Sequence, residues 1–185
     1  MQFIFKQACS TLPILWSAFM IYNITAISLI YKVACIVNAF IAFFYHGIQI
    51  PCTHNDMSAS YTVHNKNDKH IFLRTILRNI DLSLVCFLAS FLALQNYNFK
   101  IEYVLVLCIL SGFNQWSTTY VVCIMICIST IQYIHLHIYK GMLVSMAFGG
   151  IAFSSTPPDK WIQSLRYIWH ASLALWIYGS GYIIH

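Results

Sequence analysis

Charge is what this sequence lacks most. Only 8% of its 185 residues are Asp, Glu, Lys or Arg, against 59% hydrophobic, whereas soluble domains carry roughly 25% charged residues. Too few charges are present to wet the surface of a globule, which excludes an ordinary soluble domain and makes lipid the expected solvent. Mean hydropathy is +0.69. Alternating ten-residue strands are missing as well, so the expected fold is all-α, a polytopic helical membrane protein, and a β-barrel is excluded. The formal charge is +5, but the lysines are spread singly over loop positions such as Lys6, Lys32, Lys66, Lys69, Lys100, Lys140 and Lys160. That is interfacial decoration, not a nucleic-acid stripe. The seven cysteines form no CxxC pair. Cys123 and Cys127 share a helix face and suit a small apolar role better than a metal or a disulfide. There is no internal or inverted repeat.

What is present is a series of apolar runs. A spanning helix needs roughly 20 predominantly apolar residues, and polar breaks divide the chain into seven such pieces, at about 12–31, 33–50, 75–95, 101–114, 119–138, 141–155 and 161–184. They fill residues 1–185 as one seven-helix transmembrane domain. The N-terminal run "MQFIFKQACSTLPIL" continues too far for a cleaved signal and leads into the first span. Lys32 closes the first piece, Pro51 the second, "NQWST" separates the fourth from the fifth, and "TPPDK" precedes the seventh. The long polar segment 51–70 is expected to be a solvent-exposed loop. Gly149 and Gly150 in the sixth piece permit close helix packing. Seven spans place the termini on opposite sides; the N-terminal side is called side A. Lys and Arg are divided too evenly to orient the protein.

Ionisable groups at membrane depth cost about 2.5–3.5 kcal/mol each at a helix centre, so each needs an account. Four stand out: His46, Asp81, Arg166 and His170. Counted from side A at 1.5 Å per residue, His46, Asp81 and His170 lie at depths of roughly 6, 9 and 13 Å. All three therefore fall in the same half of the membrane, as a common site requires. Two imidazoles and a carboxylate suit zinc, and three protein ligands plus a water would leave the open position that a catalytic zinc needs. The other histidines fit this less well. His135 and His137, two apart at the side B end of the fifth span, face different ways and read as interfacial anchors. His54, His64 and His70 belong to the polar loop, and His185 is terminal.

"AFFYH" at the end of the second span, "NIDLSLV" in the third and "YIWHASLAL" in the seventh resemble the CREST superfamily of seven-span membrane proteins. That group includes alkaline ceramidases, adiponectin and progestin receptors, GPI-anchor lipid-remodelling proteins and myomaker. "FSSTPPDKW" with "WHAS" looks like the GPI-remodelling branch, while "AFFYH" and the compact length look like myomaker. The resemblance implies a zinc held by three histidines, assisted by an aspartate and a serine, that hydrolyses an amide or ester in a lipid. His46 matches the second-span histidine, Asp81 the third-span aspartate, and His170 the second histidine of the last-span HxxxH.

Two positions depart from the pattern. Where the family's hydrolases have serine, four before His46, this chain has Ala42; where they have histidine, four before His170, it has Arg166. A guanidinium donates only, so it cannot ligate zinc and repels it. Either zinc is held by His46, His170 and Asp81 or a water, or the metal is gone and Arg166 pairs with Asp81 in a structural polar cluster, with Arg78 as a competing partner.

Two functions follow. One is a non-enzymatic, degenerate member of the scaffold acting in lipid interaction, membrane fusion or assembly, with membrane lipids and other membrane proteins as partners and no nucleic acid. The alternative is a zinc-dependent lipid amidase or esterase in which Asp81 is catalytic and zinc is the cofactor. The expected location is the endomembrane system (ER or Golgi) or the plasma membrane.

Overall fold

In the computed structural model the described residues are 8–47, 71–97, 100–113, 115–154 and 162–184, without the side chains of Ile71, Arg74, Gln115, Trp116, Phe153, Ser154 and residues 162–166. Most of them are helical, and none is in a strand. A 3-10 turn, Cys9–Thr11, leads into α1 (Leu12–Tyr22), followed by α2 (Leu29–Gly47), α3 (Ile71–Leu94), α4 (Ile101–Gly112), α5 (Gln115–Tyr133), α6 (His137–Ser154) and α7 (Ile162–Ile184). The all-α expectation is met. Two stretches, Leu29–Gly47 and Thr75–Leu94, are long and apolar enough to cross a bilayer. The polar segment 51–70, with His54, His64 and His70, lies outside the described residues, as do "TPPDK" and His185.

The helix bounds differ from the expected spans where short polar side chains act on the backbone. The run 12–31 is not one helix. Asn23 Nδ2 donates to the Phe19 carbonyl at 2.8 Å and closes α1, while Ser28 Oγ accepts the Tyr31 N–H at 3.3 Å and opens α2. These are stop and start signals placed inside an apolar stretch. Lys32 consequently sits in the first turn of α2, its Nζ 5.9 Å from the Tyr22 ring, instead of closing a span. "NQWST" is not an independent loop either, because α5 begins at Gln115. Thr118 Oγ1 donates to the Ser111 carbonyl at 2.8 Å, so α4 and α5 form a tight hairpin. At the next junction Leu136 N–H bonds to the Tyr133 carbonyl at 2.9 Å, which puts His135 in a turn and His137 at the start of α6.

The packing order follows from buried stripes. α2 buries Tyr31, Ala34, Cys35, Asn38, Ala39, Ala42 and Tyr45, a spacing of three and four that keeps one face inward. That face meets α1 and α3, α7 packs on α1 and α6, and α3 carries both α4 and α5. One apolar core joins Ile14, Ile21, Tyr31, Cys35, Phe87, Cys108 and Ile177; a second gathers Leu92, Tyr133, Tyr139, Met142 and Trp176. Outward faces are just as apolar: Phe19 is 65% exposed, Leu29 72% and Ile131 82%. Apolar area this extensive, with Cys123 and Cys127 also facing outward, is what a lipid-facing surface requires and what water penalises.

Of the glycine pair in α6, one works as expected. A Cβ on Gly149 would meet the Ser172 side chain at 2.5 Å and Trp169 at 3.3 Å, whereas one on Gly150 would meet nothing within 4 Å. Gly149→Ala should therefore cost about 1–3 kcal/mol through overpacking. Gly150→Ala should be neutral or slightly stabilising, since alanine favours a helix by roughly 0.5–1 kcal/mol. Thermal unfolding in detergent separates the two, and equal losses would contradict the packing described.

Candidate histidine site

His46 ends α2 and His170 lies two turns into α7, at positions 124 residues apart in the chain. Their rings meet, with centroids 4.6 Å apart and planes at 67°. Tyr45 stacks beside them, 4.9 Å from the His46 ring. The site is dry on its α7 side, where His170 is 3% exposed, and the Nδ1 atom of His46 is also buried.

The roof of the pair is backbone. His170 Nδ1 lies 3.1 Å from the carbonyl oxygen of Ser10, in the turn before α1, where Ser10 and Thr11 are 2% and 1% exposed. Thr11 Oγ1 donates to the Ala8 carbonyl at 2.7 Å and holds that turn in shape. A carbonyl oxygen only accepts, so His170 carries its proton on Nδ1, and in the neutral ring the Nε2 lone pair is left for another partner.

Asp81 stands apart from this pair. Its Oδ1 accepts a hydrogen bond from Asn38 Nδ2 at 3.4 Å, and Asn38 precedes His46 by eight residues on the same helix, about 12 Å along its axis. Arg78 turns Nε and Nη2 to Asn79 Oδ1, at 3.4 and 3.2 Å. The structure thus brings His46 and His170 together and gives Asp81 an amide partner two turns away. Among the described residues no group of three or more His, Cys, Asp or Glu side chains is placed to hold a metal ion. Arg166 is on the helical backbone of α7, and its side chain lies outside the described residues.

Position 42, between Asn38 and His46 on the same stripe, is a buried alanine, 2% exposed. The stripe therefore reads amide, methyl, imidazole towards the C-terminal end of α2. Two donors, His46 and His170, fit a zinc; a third that would complete a catalytic set is not supplied by Ala42 or by the amide-bound Asp81.

Two partners escaped the sequence reading. Ser10 contributes only its carbonyl, which no side-chain pattern can reveal. Asn38 was legible, because a polar residue at four-residue spacing from Ala42 and His46 shares their face.

The bond to Ser10 makes a local prediction. His170→Phe keeps ring packing but removes the buried hydrogen bond to the Ser10 carbonyl, and should cost about 1.5 kcal/mol. His46→Phe keeps an aromatic contact on His170 and should cost less, about 0.5–1.5 kcal/mol. Denaturant midpoints in micelles report the difference, and a smaller loss for His170→Phe would mean the Ser10 contact contributes nothing.

Comparison with known proteins does not add a relative: no family model matches the sequence, and neither a curated protein nor a solved structure matches it.

Proposed function

We propose that the chain is a multi-span membrane protein on a CREST-like scaffold that acts without hydrolysing lipid, through contacts with membrane lipids and other membrane proteins in fusion or assembly. The observation that carries this reading is the split of the polar residues. His46 and His170 touch each other, while Asp81 is bound to Asn38 about two turns away and a buried methyl stands where the family's hydrolases have a hydroxyl. The pair is then a structural contact retained from a metal-binding ancestor, with Arg166 at the position of the third histidine. Meeting of the second-span and last-span histidines in space supports the scaffold assignment, as does the outward apolar surface. The proposed location is the endomembrane system or the plasma membrane.

This reading takes α1 and the longer helices as crossing, so that the termini lie on opposite sides whether the α4–α5 hairpin crosses the bilayer or turns back inside it. Twelve residues of α4 extend only about 18 Å, less than a hydrocarbon core of about 30 Å.

A second reading, a zinc-dependent lipid amidase or esterase, rests on one specific feature. The Nδ1 contact of His170 with a backbone carbonyl is the kind of outer hydrogen bond that orients metal-ligating histidines. The two readings separate in vesicles containing ceramide and phospholipid, with the purified full chain added. The non-hydrolytic reading expects no fatty acid release above protein-free vesicles. Release that disappears in both His46→Ala and His170→Ala would overturn it.

A further inference from the structure

α1 is short because the chain before it does something else. It spans Leu12–Tyr22, about 16 Å, whereas α7 spans Ile162–Ile184, about 34 Å. Ahead of α1 comes the 3-10 turn Cys9–Thr11, which packs on α2 and α7 as well as on α1. Its inner face is sealed: Ala8, Ser10 and Thr11 are 0%, 2% and 1% exposed. His170, which meets the Ser10 carbonyl, is eight residues from the Ile162 end of α7, roughly 12 Å along its axis. The turn is therefore wedged between α2 and α7 at the level of the histidine pair. Backbone outside a regular helix is tolerated at membrane depth only where protein encloses it.

Two residues explain why the turn is set there. Thr11 is the N-cap of α1, so the ladder of α1 starts from the Thr11 carbonyl and the Ser10 carbonyl lies one residue outside it. A continued 3-10 helix would pair that carbonyl with the N–H of residue 13, as the Leu12 N–H does with the Cys9 carbonyl. Residue 13 is proline and has no N–H to offer. The Ser10 carbonyl is thereby directed across to α7, 3.1 Å from His170 Nδ1. Thr11 supplies the second device. Its hydroxyl does not cap α1 but turns back to donate to the Ala8 carbonyl at 2.7 Å, which ties the turn closed.

We infer that the turn Cys9–Thr11 is a plug, aimed by Pro13 and latched by Thr11, that closes the histidine pair to solutes from side A and holds His170 protonated on Nδ1. The inference concerns access to the pair and stands whether or not the chain hydrolyses lipid or binds a metal.

The test follows two readouts on the purified full chain in micelles. Diethyl pyrocarbonate acylates an unprotonated imidazole nitrogen, and mass spectrometry assigns the modified residue. His135, exposed in its turn, is the internal reference. His170 should react about tenfold more slowly than His135. Thr11→Val removes the latch and keeps the shape, so it should speed His170 about fivefold, as loss of one buried hydrogen bond implies. Thr11→Ser retains the hydroxyl and should leave the rate unchanged. The second readout is the 15N spectrum of the His170 ring, assigned by its loss in His170→Phe. It should show the proton on Nδ1, and Pro13→Ala, which gives residue 13 an N–H for the Ser10 carbonyl, should move the ring towards the Nε2-protonated form. Acylation of His170 as fast as His135 in the unmodified protein, no acceleration in Thr11→Val, or a ring protonated on Nε2 would each overturn the inference. So would a ring unchanged by Pro13→Ala, or a Thr11→Val effect that equally exposes the buried Cys86 to thiol reagents, since the whole bundle would then have loosened.

Discussion

Asn38→Leu is expected to destabilise the bundle by about 2–3 kcal/mol, because it leaves the Asp81 carboxyl without its amide donor inside a packed face. Asn38 is 2% exposed, and its Nδ2 contact with Asp81 Oδ1 joins α2 to α3. Leucine at this position nearly conserves volume, so the loss should come from the stranded carboxyl and not from a cavity. Two companions make the origin visible. Asp81→Asn can still accept the bond, and it should stay within about 1 kcal/mol of the unmodified protein. The double replacement of Asn38 and Asp81 by leucine removes both polar partners and should recover most of the loss, since apolar pairs of similar shape can be nearly neutral. Unfolding midpoints in micelles measure all three. An Asn38→Leu chain as stable as the original would mean that Asp81 finds its stabilisation elsewhere.

The second large effect is at Gly112, where α4 lies closest to α3. A Cβ there would collide with the Ser83 side chain and approach the Asn79 carbonyl oxygen to 2.7 Å. Ser83 can rotate, although this breaks its 2.7 Å bond to the same carbonyl, but the backbone of α3 cannot withdraw without moving the helix. Gly112→Ala should therefore cost about 3 kcal/mol, at the upper end of ordinary overpacking. Ser83→Ala in the same chain should return only part of it, because the carbonyl contact remains. Full recovery in the double variant would show that the hydroxyl alone was the obstacle. The hairpin also brings Ser111 Oγ to 3.3 Å from Cys86 Sγ, so a displaced α4 should expose Cys86 to thiol reagents faster than in the unmodified protein.

Much of the architecture was legible because its cause is composition. Low charge and continuous apolar runs favour helices, and the helices lie close to the expected runs. Boundaries failed where a single hydrogen bond decides them. Asn23 and Ser28 look like incidental polar residues within 12–31, yet their side chains end one helix and start another. Gly149 and Gly150 are indistinguishable in sequence, and only the neighbour's position tells which one touches Ser172.

The candidate site was legible to the same degree. Depth counting placed His46 and His170 in one half of the membrane, and their rings are in contact. The same counting put Asp81 at a similar depth, but α2 ends at Gly47 and α3 begins at Ile71, so His46 lies one residue and Asp81 ten residues from that end, about 14 Å apart in depth. Asp81 meets Asn38 instead. A depth counted from an assumed span end carries the error of that end, which is why the contact of His46 with His170 was legible and the partner of Asp81 was not.

The central proposal is that the His46–His170 pair is a metal site that no longer holds its metal. The most direct measurement is the zinc content of the purified protein beside that of Arg166→His, both purified without chelator and exchanged against zinc-buffered detergent. The account expects far less than one zinc per chain in the unmodified protein, and zinc approaching one per chain once a third imidazole, on the same face of α7 as His170, joins the pair. Zinc near one per chain in the unmodified protein, lost on His46→Ala or His170→Ala, would contradict it.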